Sequence, residues 1–322
     1  MTEEAPLIEL RRALSIAVGI SLATLTACQP ADQGQAATED LETAKTAASQ
    51  SYVVEYVARD YAFSGPTEIP SGWVTMRMAN EGLEHHFIFL TLLPEGKTIE
   101  DYASDVGPAF GEAWDALQAG TVDKAAAGAM IGEALPEWYA SAAPMGGPGL
   151  VAPGKKAQAT MRLAPGNYVM ECYVKTADGV FHIALGMALQ LTVTAEDSGG
   201  QPPRADVDLT LFEDFMAVEG APAAGRQTVA VNFDEHPAFG LGNDVHVVRL
   251  EEGTDLDEVI AWMDWMNIDG LRAPSPATFV GGLHEMPAGY TAFFTVDLEP
   301  GRYAWIAESG AARGMVEEFT VE

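Results

Sequence analysis

Apolar residues alternate with other residues along many short segments of the chain. The alternation is clear at Tyr52–Val57, Val74–Met78, Ala157–Leu163 and Tyr168–Tyr173. Successive side chains of a strand point to opposite faces of its sheet, so a period of two predicts half-buried β-strands. Turn signals such as Pro-Gly at 153–154 and 165–166 separate these segments. The pattern therefore predicts an all-β protein made of many short strands.

Two stretches depart from this alternation and predict helical inserts. The first covers roughly residues 98–140 and contains a long Ala-rich segment, and the second covers roughly residues 256–266. Many short strands with a helical insert are typical of a β-sandwich with Greek-key connections.

The chain contains an internal repeat. Residues 145–172 align without gaps to residues 280–307. The identical pairs include Gly146/Gly281, Gly147/Gly282, Gly154/Gly289, Leu163/Leu298, Pro165/Pro300, Gly166/Gly301 and Tyr168/Tyr303. The repeat predicts two tandem sandwiches, one at 51–197 and one at 207–322, joined by a linker at 198–206.

The N-terminal region has the features of an export signal. Arg11 and Arg12 precede the apolar run Ala13–Leu25, which is shorter than the roughly 20 residues that a membrane-spanning helix needs. The run ends in Leu-Thr-Ala-Cys, which resembles the bacterial lipobox, in which the cysteine is lipidated. We expect residues 1–28 to be a lipoprotein signal peptide that ends at a lipidated Cys28.

The residues after Cys28 predict a tether. Residues 29–50 lack aromatic side chains, as expected of a flexible segment. The mature protein is then expected to be exported and lipid-anchored on the periplasmic or extracellular face of a membrane. Gln29, rather than Asp, favours the outer membrane if the organism is Gram-negative.

The charge of the chain restricts its partners. The sequence has 47 acidic and 17 basic residues, for a formal net charge of −30. Such a surface repels phosphate backbones and argues against nucleic-acid binding. It suits a basic protein partner, among which a redox protein is possible, or a cation.

Cys172 begins the one motif with clear metal-binding character. If Cys28 is lipidated, Cys172 is the one thiol left in the chain, so an intramolecular disulfide is excluded. It is followed by His182 and Met187 in a C-x9-H-x4-M arrangement. Far upstream, an Asn-Glu-Gly turn at 80–82 precedes adjacent histidines at 85 and 86.

These residues resemble the ligand set of type 1 blue-copper proteins, the cupredoxins, and the loop is most similar to that of copper nitrite reductases. The resemblance implies tandem cupredoxin-like domains, with one type 1 copper in the first domain. The implied ligands are Cys172, His182 and Met187 with either His85 or His86. We favour His85, because it aligns with the histidine that precedes an asparagine in the family. Strand alternation places His85 and His86 on opposite faces, so only one of them can face the copper.

The second copy lacks this ligand set. Ala307 stands at the position of Cys172, and no histidine occurs between Ala307 and Met315. We interpret the remaining histidines, at 236, 246 and 284, as surface or hydrogen-bonded residues, because they lack metal-ligand spacing. The second domain is therefore expected to carry a degenerate site.

Three functions are compatible with these features to different degrees. The first is a membrane-tethered electron carrier or copper-handling protein, and the second is a copper-free binding or scaffold lipoprotein. The third is a multicopper enzyme, which requires further histidines. Glu171 rather than histidine precedes Cys172, and the sequence has no His-x-His pair. We therefore expect an electron carrier rather than a catalyst.

Overall fold

The computed structural model describes residues 52–237, 242–308 and 310–322. The predicted signal peptide, the predicted lipidation site Cys28 and the predicted tether at 29–50 lie outside the described residues. No helix in the described part of the chain is long and apolar enough to cross a membrane. The described residues belong to one compact unit.

Strands make up most of the regular structure. The first eight are β1 (Tyr52–Arg59), β2 (Ala62–Ser64), β3 (Glu68–Asn80), β4 (Phe89–Leu92), β5 (Ala143–Pro144), β6 (Lys156–Leu163), β7 (Gly166–Glu171) and β8 (Ala188–Asp197). The next eight are β9 (Val207–Leu211), β10 (Met216–Glu219), β11 (Gly225–Phe233), β12 (Val245–Leu250), β13 (Thr278–Leu283), β14 (Thr291–Leu298), β15 (Gly301–Ile306) and β16 (Val316–Val321). The all-β prediction is confirmed, and each of the four segments identified by alternation contains or overlaps a strand.

The first eight strands form two layers. One layer has the order β2-β1-β3-β6, in which β1 and β3 are parallel. The other has the order β3-β8-β7-β4-β5. The long strand β3 belongs to both, and its pairing with β8 is shifted between Pro70 and Ser71. The chain crosses between layers from β3 to β4, from β5 to β6 and from β6 to β7, as in Greek-key sandwiches.

The second eight strands repeat the pairing of the first eight. Strand β9 pairs antiparallel with β10 and parallel with β11, as β1 does with β2 and β3. Strand β11 pairs with β14, as β3 does with β6. The order β13-β12-β15-β16 matches β5-β4-β7-β8. The repeat seen in the sequence is thus also present in the strand pairing.

The two copies share one sheet and one core. Strand β14 pairs antiparallel with β6 through Phe293↔Thr160, Phe294↔Ala159 and Thr295↔Gln158. Thr75 and Thr160 are joined by a buried hydrogen bond of 2.8 Å in the same sheet. Buried apolar side chains of both copies form one contiguous cluster. Burial of apolar surface therefore stabilises the two copies as one body.

Helices lie between the fourth and fifth strands of each copy, close to the predicted positions. In the first copy they are α1 (Ile99–Asp101), a π-helical turn (Tyr102–Val106), α2 (Gly107–Gln118) and α3 (Lys124–Ala134). In the second copy the insert is α4 (Leu256–Met263). Short 3₁₀ turns occur at Glu137–Ser141, His182–Leu185 and Ala311–Arg313.

The helical insert of the first copy supports the loop that follows Cys172. The indole nitrogen of Trp114, on α2, donates a hydrogen bond of 3.1 Å to the carbonyl of Gly179. Its ring lies 5.0 Å from that of Phe181, centroid to centroid. Both contacts lie just before His182 in the chain, so α2 helps to fix the position of that residue.

Candidate metal centre

Cys172 lies immediately after β7, at the end of the strand. Its side chain is fully buried. Its backbone N–H donates to the carbonyl of Met187 at 3.2 Å. The N–H groups of Phe87 and Val174 donate to its sulfur, an arrangement that favours the thiolate.

The loop after Cys172 folds back through a tight 3₁₀ turn. The N–H of His182 donates to Val174 O at 2.8 Å, and the N–H of Met187 donates to His182 O at 3.0 Å. Gly186 ends the turn with φ +104°, a conformation that L side chains rarely adopt. As a result, His182 and the fully buried Met187 both lie beside Cys172 in the chain fold.

The second histidine of the group is His86, which follows the turn at 80–82. The side chain of Asn80 accepts the N–H of Gly82 and donates to the carbonyls of Glu84 and Val151. The backbone of His86 then pairs with that of Val151 in an isolated antiparallel bridge. Asn80 therefore joins the two segments that set the orientation of His86.

Two imidazoles approach one thiol. The distances from Cys172 Sγ are 3.8 Å to His86 Nδ1 and 3.7 Å to His182 Nδ1. The opposite ring nitrogens contact carboxylates, His86 Nε2 with Asp60 Oδ1 and His182 Nε2 with Glu84 Oε2, each at 2.7 Å. A carboxylate accepts a hydrogen bond from Nε2–H, which leaves the Nδ1 lone pair directed at the thiol. Imidazoles held in this way are typical of metal ligands.

Burial keeps the group neutral when no metal is bound. It raises the pKa of the Cys172 thiol to about 12. It also lowers the pKa of His182 to about 3 and lowers that of His86, although Asp60 opposes the latter shift. The protein therefore offers two neutral imidazoles and one thiol that must lose its proton before it binds a metal.

His85 lies elsewhere, so the choice of His85 over His86 is corrected. Its ring packs edge-on against Phe279 at 5.8 Å and against Trp262 at 6.1 Å, both in the second copy. Its Nε2 is buried without a hydrogen-bond partner, and burial lowers its pKa to about 4. The alternation of side chains does separate the two histidines, but the bridge to Val151 turns His86 toward Cys172.

The residues of the group fit type 1 copper. A thiolate and two imidazoles, with a weak thioether, are the donors that such a site requires. The structure brings His86, Cys172 and His182 together, and Met187 follows the same turn. Copper bound here would supply one-electron transfer between its two oxidation states.

A second group of metal-binding residue types lies in the second copy. It contains Asp244, His246, His284 and Glu308, all buried. The interpretation of His246 and His284 as surface or hydrogen-bonded residues is wrong for His284, whose two ring nitrogens are buried without partners. No spacing motif signals this group, because its members come from three separate segments.

No family model and no curated protein matches the chain. A structure of sodium dithionite-reduced auracyanin from the photosynthetic bacterium Roseiflexus castenholzii is 24% identical, over 45% of this chain and 98% of that one, with a TM-score of 0.25. Auracyanin A, a "blue" copper protein from Chloroflexus aurantiacus, is 21% identical over 44% and 98%, with a TM-score of 0.27.

A multicopper oxidase structure covers more of the chain. It is 15% identical over 84% of this chain and 88% of that one, with a TM-score of 0.22. All three TM-scores lie below 0.5, so the description of this protein as a Greek-key β-sandwich rests on its own strand topology.

Proposed function

We propose that this protein is an exported, lipid-anchored electron carrier that binds one type 1 copper in its first copy. The observation that carries the proposal is the pair of imidazoles whose Nδ1 atoms face one buried thiol. Each imidazole is fixed from behind by a carboxylate at 2.7 Å. Together they form a preorganised N₂S donor set rather than a chance contact.

The proposed ligands are His86, Cys172 and His182, with Met187 as the weak axial donor. Cys172, His182 and Met187 are fully buried and lie on the loop between β7 and β8, and His86 is buried on the adjacent bridge. Because the second ring nitrogen of each histidine is already hydrogen-bonded, neither ring can turn without losing that bond. Such fixed donors suit electron transfer, which is fastest when the ligands move little between oxidation states.

The place of the carrier is proposed from the N-terminal sequence. The lipid at Cys28 and the tether at 29–50 would hold the copper domain at a membrane surface. The acidic surface of the chain favours a redox partner with a basic docking face, since opposite charges accelerate encounter. The absence of a histidine before Cys172 supports a carrier rather than a multicopper enzyme.

The test is a visible absorption spectrum of the full chain, purified in detergent and loaded with one equivalent of Cu(II). We expect an intense thiolate-to-copper band that is absent in Cys172→Ala. The adjacent histidines provide a matched pair of truncations. His86→Ala should abolish or shift the band, whereas His85→Ala should retain it, because His85 contacts Phe279 and Trp262 instead of the thiol.

Two results would contradict the proposal. A colourless wild-type protein without bound copper would indicate a copper-free cupredoxin-like scaffold. Loss of the band in His85→Ala together with its retention in His86→Ala would show that the ligand group is wrong. Near-ultraviolet circular dichroism of each variant would confirm that its fold is intact.

A further inference from the structure

The second group of metal-binding side chains lies at one end of the second copy. Asp244 directly precedes β12, His284 directly follows β13, and Glu308 follows the end of β15. His246 lies on β12. One potential ligand atom from each residue lies within 4.8 Å of those of the other three. The strand ends thus converge on a single point inside the protein.

Several polar atoms of this group have no partner. Neither ring nitrogen of His284 forms a hydrogen bond, and Oε1 of Glu308 also has no partner, although both side chains are buried. The ring of His284 lies 4.4 Å from that of Phe87 and 4.8 Å from that of Phe89. Leaving buried polar atoms unpaired costs about 1–3 kcal/mol each. Since one potential ligand atom of His284 and one of Glu308 lie within 4.8 Å of a carboxylate oxygen of Asp244, a single bound cation would supply the missing partner.

His246 has a supporting part in the group, which its hydrogen bonds define. Its Nδ1 accepts the backbone N–H of Leu150 at 3.0 Å. The proton of the neutral ring is therefore on Nε2, which donates to Asp244 Oδ2 at 3.2 Å. His246 accordingly orients Asp244 and is not itself free to bind an ion.

The carboxylates are held in place by further donors. The backbone N–H of Glu308 donates to Asp244 Oδ1, and the hydroxyl of Tyr173 donates to Glu308 Oε2 at 3.1 Å. The neutral ring of His246 donates a hydrogen bond to Asp244 but carries no charge that would neutralise the carboxylate. Buried carboxylates are normally paired with a cation or coordinate a metal. Here the two carboxylates and His284 bring one potential ligand atom each within 4.8 Å of one another.

We propose that Asp244, His284 and Glu308 bind one divalent cation of the zinc type. One imidazole and two carboxylates without a thiolate suit zinc, and a water molecule can complete four-coordination. The first copy contributes the supporting layer, through the N–H of Leu150 and the hydroxyl of Tyr173. The second copy, which has no copper ligand set of its own, thus keeps a metal site of a different kind.

The test uses the full chain with Cys172→Ala, so that the thiolate site cannot bind the added metal. The protein is equilibrated with Zn²⁺, and bound zinc is measured by mass spectrometry, with Co²⁺ absorption as a reporter of coordination. We expect one zinc per chain. Adding His284→Asn or Glu308→Gln should weaken zinc binding by about 100-fold or more, because the loss of a ligand should cost more than the roughly 10–100-fold that the loss of an outer-shell partner costs.

His236→Asn in the same background is the matched control. His236 is a partly buried histidine whose Nδ1 accepts the N–H of Asn243 at 3.0 Å, and the Oδ1 of asparagine can replace that acceptor. Zinc binding should be unchanged in this control. An absence of bound zinc in folded Cys172→Ala protein, which would indicate a water-filled polar cluster, would overturn the proposal. Equal zinc binding by the His284→Asn and His236→Asn variants would also overturn it. Neither result depends on whether the first copy binds copper.

Discussion

Replacing Glu84 by alanine should weaken copper binding without touching a proposed ligand. Glu84 Oε2 accepts the Nε2–H of His182 at 2.7 Å, and its side chain is only 17% exposed. Removing it leaves a buried N–H without an acceptor and frees the imidazole to turn. A hydrogen bond to a charged group contributes about 1.5–3 kcal/mol. Outer-shell partners of metal-binding histidines are worth about 10–100-fold in affinity, which is about 1.4–2.7 kcal/mol.

The two ranges agree, so we expect Glu84→Ala to lower copper affinity about 10–100-fold. The assay is a competition titration of Cu(I) against a chromophoric chelator, with the full chain at pH 8. An alkaline pH keeps the carboxylate ionised, since burial raises the pKa of Glu84. In Glu84→Gln the amide oxygen can still accept from Nε2–H, so a smaller loss is expected.

Glu81→Ala is the matched control for this measurement. Glu81 lies three residues before Glu84, but its half-exposed side chain pairs with Arg59 instead of a histidine. Exposed pairs of this kind contribute little, so copper affinity should stay within about twofold of the wild type. Equal affinities for Glu84→Ala and Glu81→Ala would show that the carboxylate does not position His182.

Two further predictions concern pH. Copper affinity should rise about tenfold per pH unit between pH 8 and 9.5. Burial holds the pKa of Cys172 at about 12 and that of His182 at about 3, so in this range copper binding releases only the thiol proton. Chelator titrations at several pH values measure this slope, and an affinity independent of pH would contradict it. Burial raises the pKa of Glu171 from 4.5 to about 7, so the folded protein binds this proton more tightly than the unfolded chain does. The resulting contribution to the unfolding free energy is fully present below pH 4.5 and is lost as the pH rises through 7. Relative to Glu171→Gln, the metal-free wild type should lose about 3 kcal/mol of unfolding free energy between pH 4.5 and 8. Urea denaturation at several pH values measures this loss. A difference in unfolding free energy between the two proteins that does not change with pH would show that Glu171 does not have a raised pKa.

The strands and inserts could be predicted because they are local features. Alternation over Ala157–Leu163 falls within one residue of β6, and the predicted helix from Leu256 begins at the same residue in the structure. Each pattern reflects burial of one face of a single element, which the sequence records directly. The pairing of β6 with β14 could not be foreseen in this way, because it joins residues more than 130 positions apart.

The choice between adjacent histidines depended on information that the local sequence does not contain. His85 and His86 occupy opposite faces of the same segment, and either could have met Cys172. The decision is made by the bridge between His86 and Val151, which Asn80 supports with a side-chain hydrogen bond to the carbonyl of Val151. A one-residue shift of that bridge would exchange the two rings.

The carboxylate and histidine group of the second copy escaped prediction for a related reason. Asp244, His284 and Glu308 are separated by tens of residues, and two of them are among 47 acidic residues of the chain. Burial distinguishes them, and burial arises only when the ends of β12, β13 and β15 converge. A weak sequence signal is the departure from the repeat, in which His284 stands at the position of Gly149.

The pairing of β6 with β14 also bears on solubility. An unpaired outer strand exposes a row of N–H and C=O groups that can recruit a second chain, which is a common route to aggregation. In this protein β6 and β14 would each be such an edge, and they cover one another through the pairs at Thr160, Ala159 and Gln158. Strand β14 of the second copy therefore covers the edge strand β6 of the first copy. A shortened chain that ends after β8 would expose the β6 edge, and such an excised domain should dimerise or aggregate even though its proposed copper ligands are all present.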